Sequence, residues 1–165
     1  MAHLKALSRD AIPRALEKAE RYRLLNEPGE AASICLDVLS IDPENQQALV
    51  TLLLARTDQF AEHDADEEAA REVLPRLKDA YKKAYYAGII SERRAKGHLK
   101  RARPGSGFAA YQDLQRAMSA YQQAEALRPP GNDDALLRWN ACVRFLASHP
   151  SVAPREEDRT ELPLE

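Results

Sequence analysis

Laid over itself at an offset of 86 residues, the interval from Ala31 to Ala117, the chain repeats its own pattern. Ala31 falls on Ala117, Cys35 on Tyr121, Val38 on Ala124, Ile41 on Leu127 and Pro43 on Pro129. One extra residue in the second turn brings Ala48-Leu49 onto Ala135-Leu136 as well. The matched positions step by three and four residues, which places them on one face of a helix, and each copy then runs into a proline that stops it. A unit made of one amphipathic helix, a proline turn and the start of another helix cannot bury its apolar face alone. Recurrence of such a unit therefore predicts stacking, each copy covering its neighbour.

Helical periodicity extends over almost the whole chain. Seven segments are predicted, over about 11–26, 30–41 and 44–62, a fourth after the acidic stretch 62–68, then about 90–102, 108–127 and 132–149. The third is apolar on more than one face, as an enclosed helix would be. Pro75 should kink the fourth or divide it into two shorter pieces near Leu74, because an interior proline costs about 3 kcal/mol. Ala, Leu, Arg, Glu, Lys and Gln dominate the composition, and runs of Val, Ile and Thr that would favour strands are absent. The expected fold is all-α, a right-handed stack of antiparallel helix pairs over 11–149. A short lead, 1–10, precedes it and an acidic, proline-containing flexible tail, 150–165, follows.

The segment from Gly29 to Arg56, GEAASICLDVLSIDPENQQALVTLLLAR, resembles a tetratricopeptide repeat. Ala31 stands where that family places a small residue between its two helices, Pro43 where a proline ends the second helix, and Ala48 where the next repeat opens. Tyr22 matches the aromatic position of the preceding helix. Ala117, Ala124 and Pro129 fill the corresponding places in the second copy. The resemblance covers Arg14 to Leu146, with two departures: the family's Trp-Leu-Gly cluster is missing around Ala15 to Ala19, and 86 is not a multiple of its 34-residue period. The excess implies an enlarged middle repeat around Asp66 to Tyr86. The resemblance also implies a concave groove lined by the first, third and fifth helices, and a role in binding other proteins.

Nothing in the sequence assembles a catalytic set. Cys35 and Cys142 have no CxxC neighbour and read as small core residues. Glu62-His63-Asp64 reads as a solvated helix boundary rather than a metal cluster, because metal sites need spaced, convergent ligands. No phosphate-cradling glycine loop is present. Tyr111, Tyr121 and Trp139 read as core, whereas Tyr81, Tyr85 and Tyr86 could form either a core edge or an exposed patch.

The concentrated feature is a run of cations from Arg93 to Arg103 on the fifth helix. A solvated face explains most such runs. If this helix lines a groove, Arg93, Arg94, Lys96, Lys100 and Arg101 form a partner-binding surface for an acidic protein or peptide. Nucleic acid is the rival ligand for the basic helix 91–103, disfavoured because no aromatic stacking residues are interleaved with the charges. With a net charge of -2, any such attraction is local. The expected protein is thus a non-catalytic interaction module or adaptor, cytoplasmic, without cofactor or metal and without membrane association. The acidic tail could compete for the same groove.

Overall fold

A computed structural model describes residues 2–62 and 66–155. Their regular structure is entirely helical: α1 (Ile12–Leu24), α2 (Pro28–Ile41), α3 (Gln46–Asp58), α4 (Asp66–Arg71), α5 (Ala80–Arg101), α6 (Ser106–Leu127) and α7 (Asp134–Ser148), with 3-10 turns at Arg9–Ala11 and Leu74–Arg76. Consecutive helices pack against one another as an all-α stack within two compact units, Met1–Asp79 and Ala80–Glu165. No described helix is long and apolar enough to cross a membrane. His63 and Asp64, read as a solvated boundary, lie outside the described residues, as does 156–165, the larger part of the expected tail.

In the first unit α2 packs against both α1 and α3, and α1 also reaches α3. The apolar stripe of α1, Ile12, Leu16 and Ala19, is buried, and so are Ala31, Cys35, Val38 and Leu39 of α2. Packed on α2 and also touching α1 and α4, α3 is enclosed on several sides, with Ala48, Leu49, Thr51, Leu52, Leu53, Ala55 and Thr57 all buried. Each fully covered leucine there contributes about 1.5–3 kcal/mol. Polar ties fix the register. Arg23 of α1 donates from Nε to Asp58 Oδ2 of α3 at 2.8 Å and from Nη2 to Oδ1 at 3.3 Å. Gln47 of α3 donates to Glu20 of α1 at 3.1 Å.

The turns follow from local chemistry. Asn26 adopts a left-handed conformation, φ 60°, after α1, and Glu27 N donates to Tyr22 O while Asn26 N donates to Arg23 O. That pair of bonds satisfies the carbonyls a helix end leaves open. The Asn45 side chain accepts from Ala48 N at 2.9 Å and caps α3. Pro75 divides the fourth segment, as its chemistry predicts: α4 ends at Arg71 and the proline sits in a separate 3-10 turn. This turn is held to the start of α3 by Arg76 donating to Pro43 O at 2.8 Å and Lys78 N donating to Gln46 Oε1 at 2.9 Å.

In the second unit α5 starts ten residues earlier than its periodicity suggests, at Ala80 rather than near Ile90. Gly88 looks like a break but sits mid-helix, because the ring of Tyr121 on α6 occupies the space a side chain would fill. The internal repeat is now visible in burial: Ala117, Tyr121 and Ala124 of α6 are as fully enclosed as Ala31, Cys35 and Val38 of α2. Tyr81, Tyr85 and Tyr86 form a half-buried core edge. Tyr85 lies 5.7 Å from Tyr81, 5.2 Å from Tyr86 and 5.9 Å from Tyr121 between ring centroids. Tyr81 also donates to Asn132 Oδ1 at 3.2 Å, just before α7.

Two substitutions test this packing. Gly88→Ala would set a methyl group closer than 3.0 Å to three ring atoms of Tyr121, and urea unfolding should show a loss of about 1–3 kcal/mol. Ala102, exposed and left-handed at φ 48° after α5, should give the opposite sign: Ala102→Gly is expected to raise stability by about 0.5–1 kcal/mol.

Candidate functional site

The basic run of α5 is sorted by its neighbours. Glu92 is a carboxylate only 2% exposed. It accepts from Lys96 Nζ at 2.7 Å, from Tyr121 Oη at 2.7 Å and from Arg138 Nε at 3.0 Å, and Arg138 Nη2 closes a second, bidentate contact. Burial alone would push the Glu92 carboxyl up, but the hydrogen bonds from Lys96, Tyr121 and Arg138 outweigh it and hold the group below its ordinary value. Burial, with the Glu92 charge beside it, drives the Tyr121 hydroxyl the other way, far upward.

A second buried carboxylate, Asp113 of α6, gathers another set. Arg94 Nε approaches its Oδ2 at 3.3 Å, His98 Nε2 the same oxygen at 3.2 Å, and Arg116 Nη1 the Oδ1 at 3.1 Å. Of the residues that the sequence puts forward, Arg94 and Lys96 therefore serve contacts inside the unit. Arg93 is half-buried, Lys100 is exposed, and Arg101 Nη2 lies 3.5 Å from His98 Nδ1. The five cations are brought onto one helix, and two of them, Arg94 and Lys96, are paired with buried carboxylates.

Sequence reasoning passes over both carboxylates. The available signal was weak, Glu92 four residues before Lys96 and Asp113 three before Arg116, spacings that surface pairs share. It also passes over the outer face of α1. There Arg14, Glu17, Lys18, Arg21, Tyr22 and Leu25 border an open space of about 490 Å³. The Lys18 ammonium stands 5.9 Å from the Tyr22 ring centroid. Three cations against one carboxylate give this face a positive sign, and Tyr22 and Leu25 give it apolar footing. The signal was present, since Arg14, Lys18 and Arg21 recur at four- and three-residue steps opposite the buried stripe.

The remaining chemistry is quiet. Cys35 and Cys142 are buried free thiols, both pushed up to about 11 by burial. Among the described residues no group of His, Cys, Asp and Glu has the arrangement to hold a metal ion. No family model, no curated protein and no solved structure matches the chain.

The Glu92 cluster sets a pH dependence whose sign follows from its direction. A carboxylate whose folded value is lowered adds stability that is fully present above the unfolded value and fades as pH falls through the folded one. The stability advantage of the native chain over a Glu92→Gln variant should thus be steady at neutral pH and shrink on acidification below about 4.3. Arg138→Leu should cost about 3 kcal/mol at neutral pH in denaturant unfolding, since it removes the bidentate partner of a buried charge.

Proposed function

We propose that the chain is a non-catalytic protein-interaction module of tetratricopeptide-like architecture, an adaptor that binds an acidic segment of another protein along the outer face of α1. The observation that carries this reading is the open space beside that face, bordered by Arg14, Lys18 and Arg21 together with Tyr22 and Leu25. Guanidinium and ammonium groups at four- and three-residue steps suit carboxylates spaced along an extended or helical peptide, with the aromatic and aliphatic residues accepting intervening apolar side chains. Leu24 and Leu25, 88% and 65% exposed at the end of α1, extend the apolar footing.

The architecture supports the same reading. In the first unit one helix is sandwiched between two others that also touch, the arrangement expected when the first and third helices of a repeat stack share an inner surface. Partner choice then lies with the exposed side chains of α1. The basic run of α5 contributes less than its density suggests, because Arg94 and Lys96 already face buried carboxylates. A cytoplasmic setting and the absence of a cofactor belong to this proposal.

Fluorescence anisotropy with a labelled peptide of alternating Glu and Leu tests it, with a Lys-Leu peptide and a single-stranded oligonucleotide as comparisons. Replacing Arg14, Lys18 and Arg21 together by Ala should weaken the acidic peptide at least about tenfold, equivalent to ~1.4 kcal/mol, and leave the fold intact. Unchanged affinity in that variant would overturn the α1 assignment. Tighter, salt-steep binding of the oligonucleotide, lost on replacing Lys100 and Arg101, would favour the nucleic-acid alternative instead.

A further inference from the structure

Arg14, Lys18, Arg21 and Leu25 follow one another along α1 and its C-terminal cap at steps of four, three and four residues. At about 100° per residue these steps bring all four side chains within an arc of about 60°, so they form one narrow lane. Glu17 borders the lane on one side and the half-buried ring of Tyr22 on the other. All four lane residues are exposed. Among the described residues Arg14, Lys18 and Arg21 have no carboxylate within ion-pair distance, whereas Arg94 and Lys96 of α5 are paired with buried ones. The positive charge of the lane is therefore uncompensated within the described chain, and its complement is an anion from outside.

The spacing of the lane bears on the shape of that anion. Measured from Arg14 along the helix axis, Lys18 stands at about 6 Å, Arg21 at about 10.5 Å and Leu25 at about 16.5 Å. An extended peptide returns a side chain to the same side only every ~6.6 Å. Its third carboxylate overshoots Arg21 by about 3 Å, and Leu25 falls midway between two side chains of that face. A second α-helix carries the same rise and the same steps, and stays in register over the whole lane.

The backbone supplies an independent argument. An extended ligand gains affinity when its N–H and C=O groups pair with a sheet edge. The middle of α1 offers no such partner, because its own backbone groups are closed within the helix. A helical ligand satisfies its backbone internally and brings only side chains to the contact.

Resting on the α1 assignment above, we infer that the acidic segment binds as an amphipathic α-helix. Its carboxylates recur at four- and three-residue steps opposite Arg14, Lys18 and Arg21, and an aliphatic side chain one turn beyond them meets Leu25. Glu17 favours a cation on one flank of this ligand helix and Tyr22 an apolar residue on the other, so the pattern specifies more than net charge.

Anisotropy titrations of the full chain with short labelled peptides of one composition test the inference. In the stepped peptide three Glu and one Leu stand at four-, three- and four-residue steps in a background of Ala and Gln, in either chain order. Its isomer places the same four residues at every second position. The stepped peptide should bind at least about tenfold more tightly, and the carbon chemical shifts of the 13C-labelled peptide should become helical on binding. Proline at its centre, which breaks a helix interior, should abolish the advantage. Equal or tighter binding of the isomer, or bound shifts of an extended chain, would refute the helical ligand. The chain carrying Arg14→Ala, Lys18→Ala and Arg21→Ala separates the two levels of the reading. Isomer binding that this chain loses removes the helix and leaves the α1 assignment standing, whereas peptides that bind both chains equally, or neither, remove both.

Discussion

A single carboxylate organises the second unit. Glu92 projects from α5, takes a hydroxyl from α6 and a bidentate guanidinium from α7, and keeps Lys96 on its own helix, so three helices meet at two oxygen atoms. A buried pair of this kind adds little net stability over an apolar substitute, but a register that breaks it strands a charge out of water and costs several kcal/mol. The interaction thus acts chiefly by excluding wrong arrangements. The hydroxyl that Tyr121 gives to Glu92 also fixes where its ring lies, and the ring explains why glycine occupies position 88.

The two carboxylates also change what the charge of α5 means. In a linear reading, cations from Arg93 to Arg103 form one block; in space, Glu92 and Asp113 pair with Arg94, Lys96 and His98, while Lys100 is exposed. Desolvated anions beneath a basic helix are consistent with a net charge of -2 for the whole chain. The positive surface proposed for a partner lies instead on α1, where cations alternate with an aromatic and a leucine and are set against only one carboxylate.

Much of the fold was legible because it rests on short-range rules. The stripe Ala31, Cys35, Val38, the proline stops and the division at Pro75 are each decided within a few residues, and the offset copy at Ala117, Tyr121, Ala124 needed only comparison of the chain with itself. The stretch from Ala80 to Ile89 belongs to α5 rather than preceding it, and there Gly88 packs under the Tyr121 ring of α6, a contact no local pattern shows. The candidate site was harder for the same reason. Whether Lys96 faces solvent or Glu92 depends on packing across α5, α6 and α7, and no spacing rule distinguishes a buried Glu92 from the many surface residues with a lysine four positions on. The tyrosines at 81, 85 and 86 were ambiguous until a fourth ring, Tyr121, was found among them.

The two thiols carry a consequence of their own. Oxidants and alkylating agents attack the thiolate, and a group titrating near 11 supplies that form in only about one molecule in ten thousand at pH 7. Enclosed as they are, Cys35 and Cys142 add bulk to the interior without adding chemistry. A cysteine introduced on the surface would therefore meet oxidants and alkylating agents far sooner than either enclosed thiol.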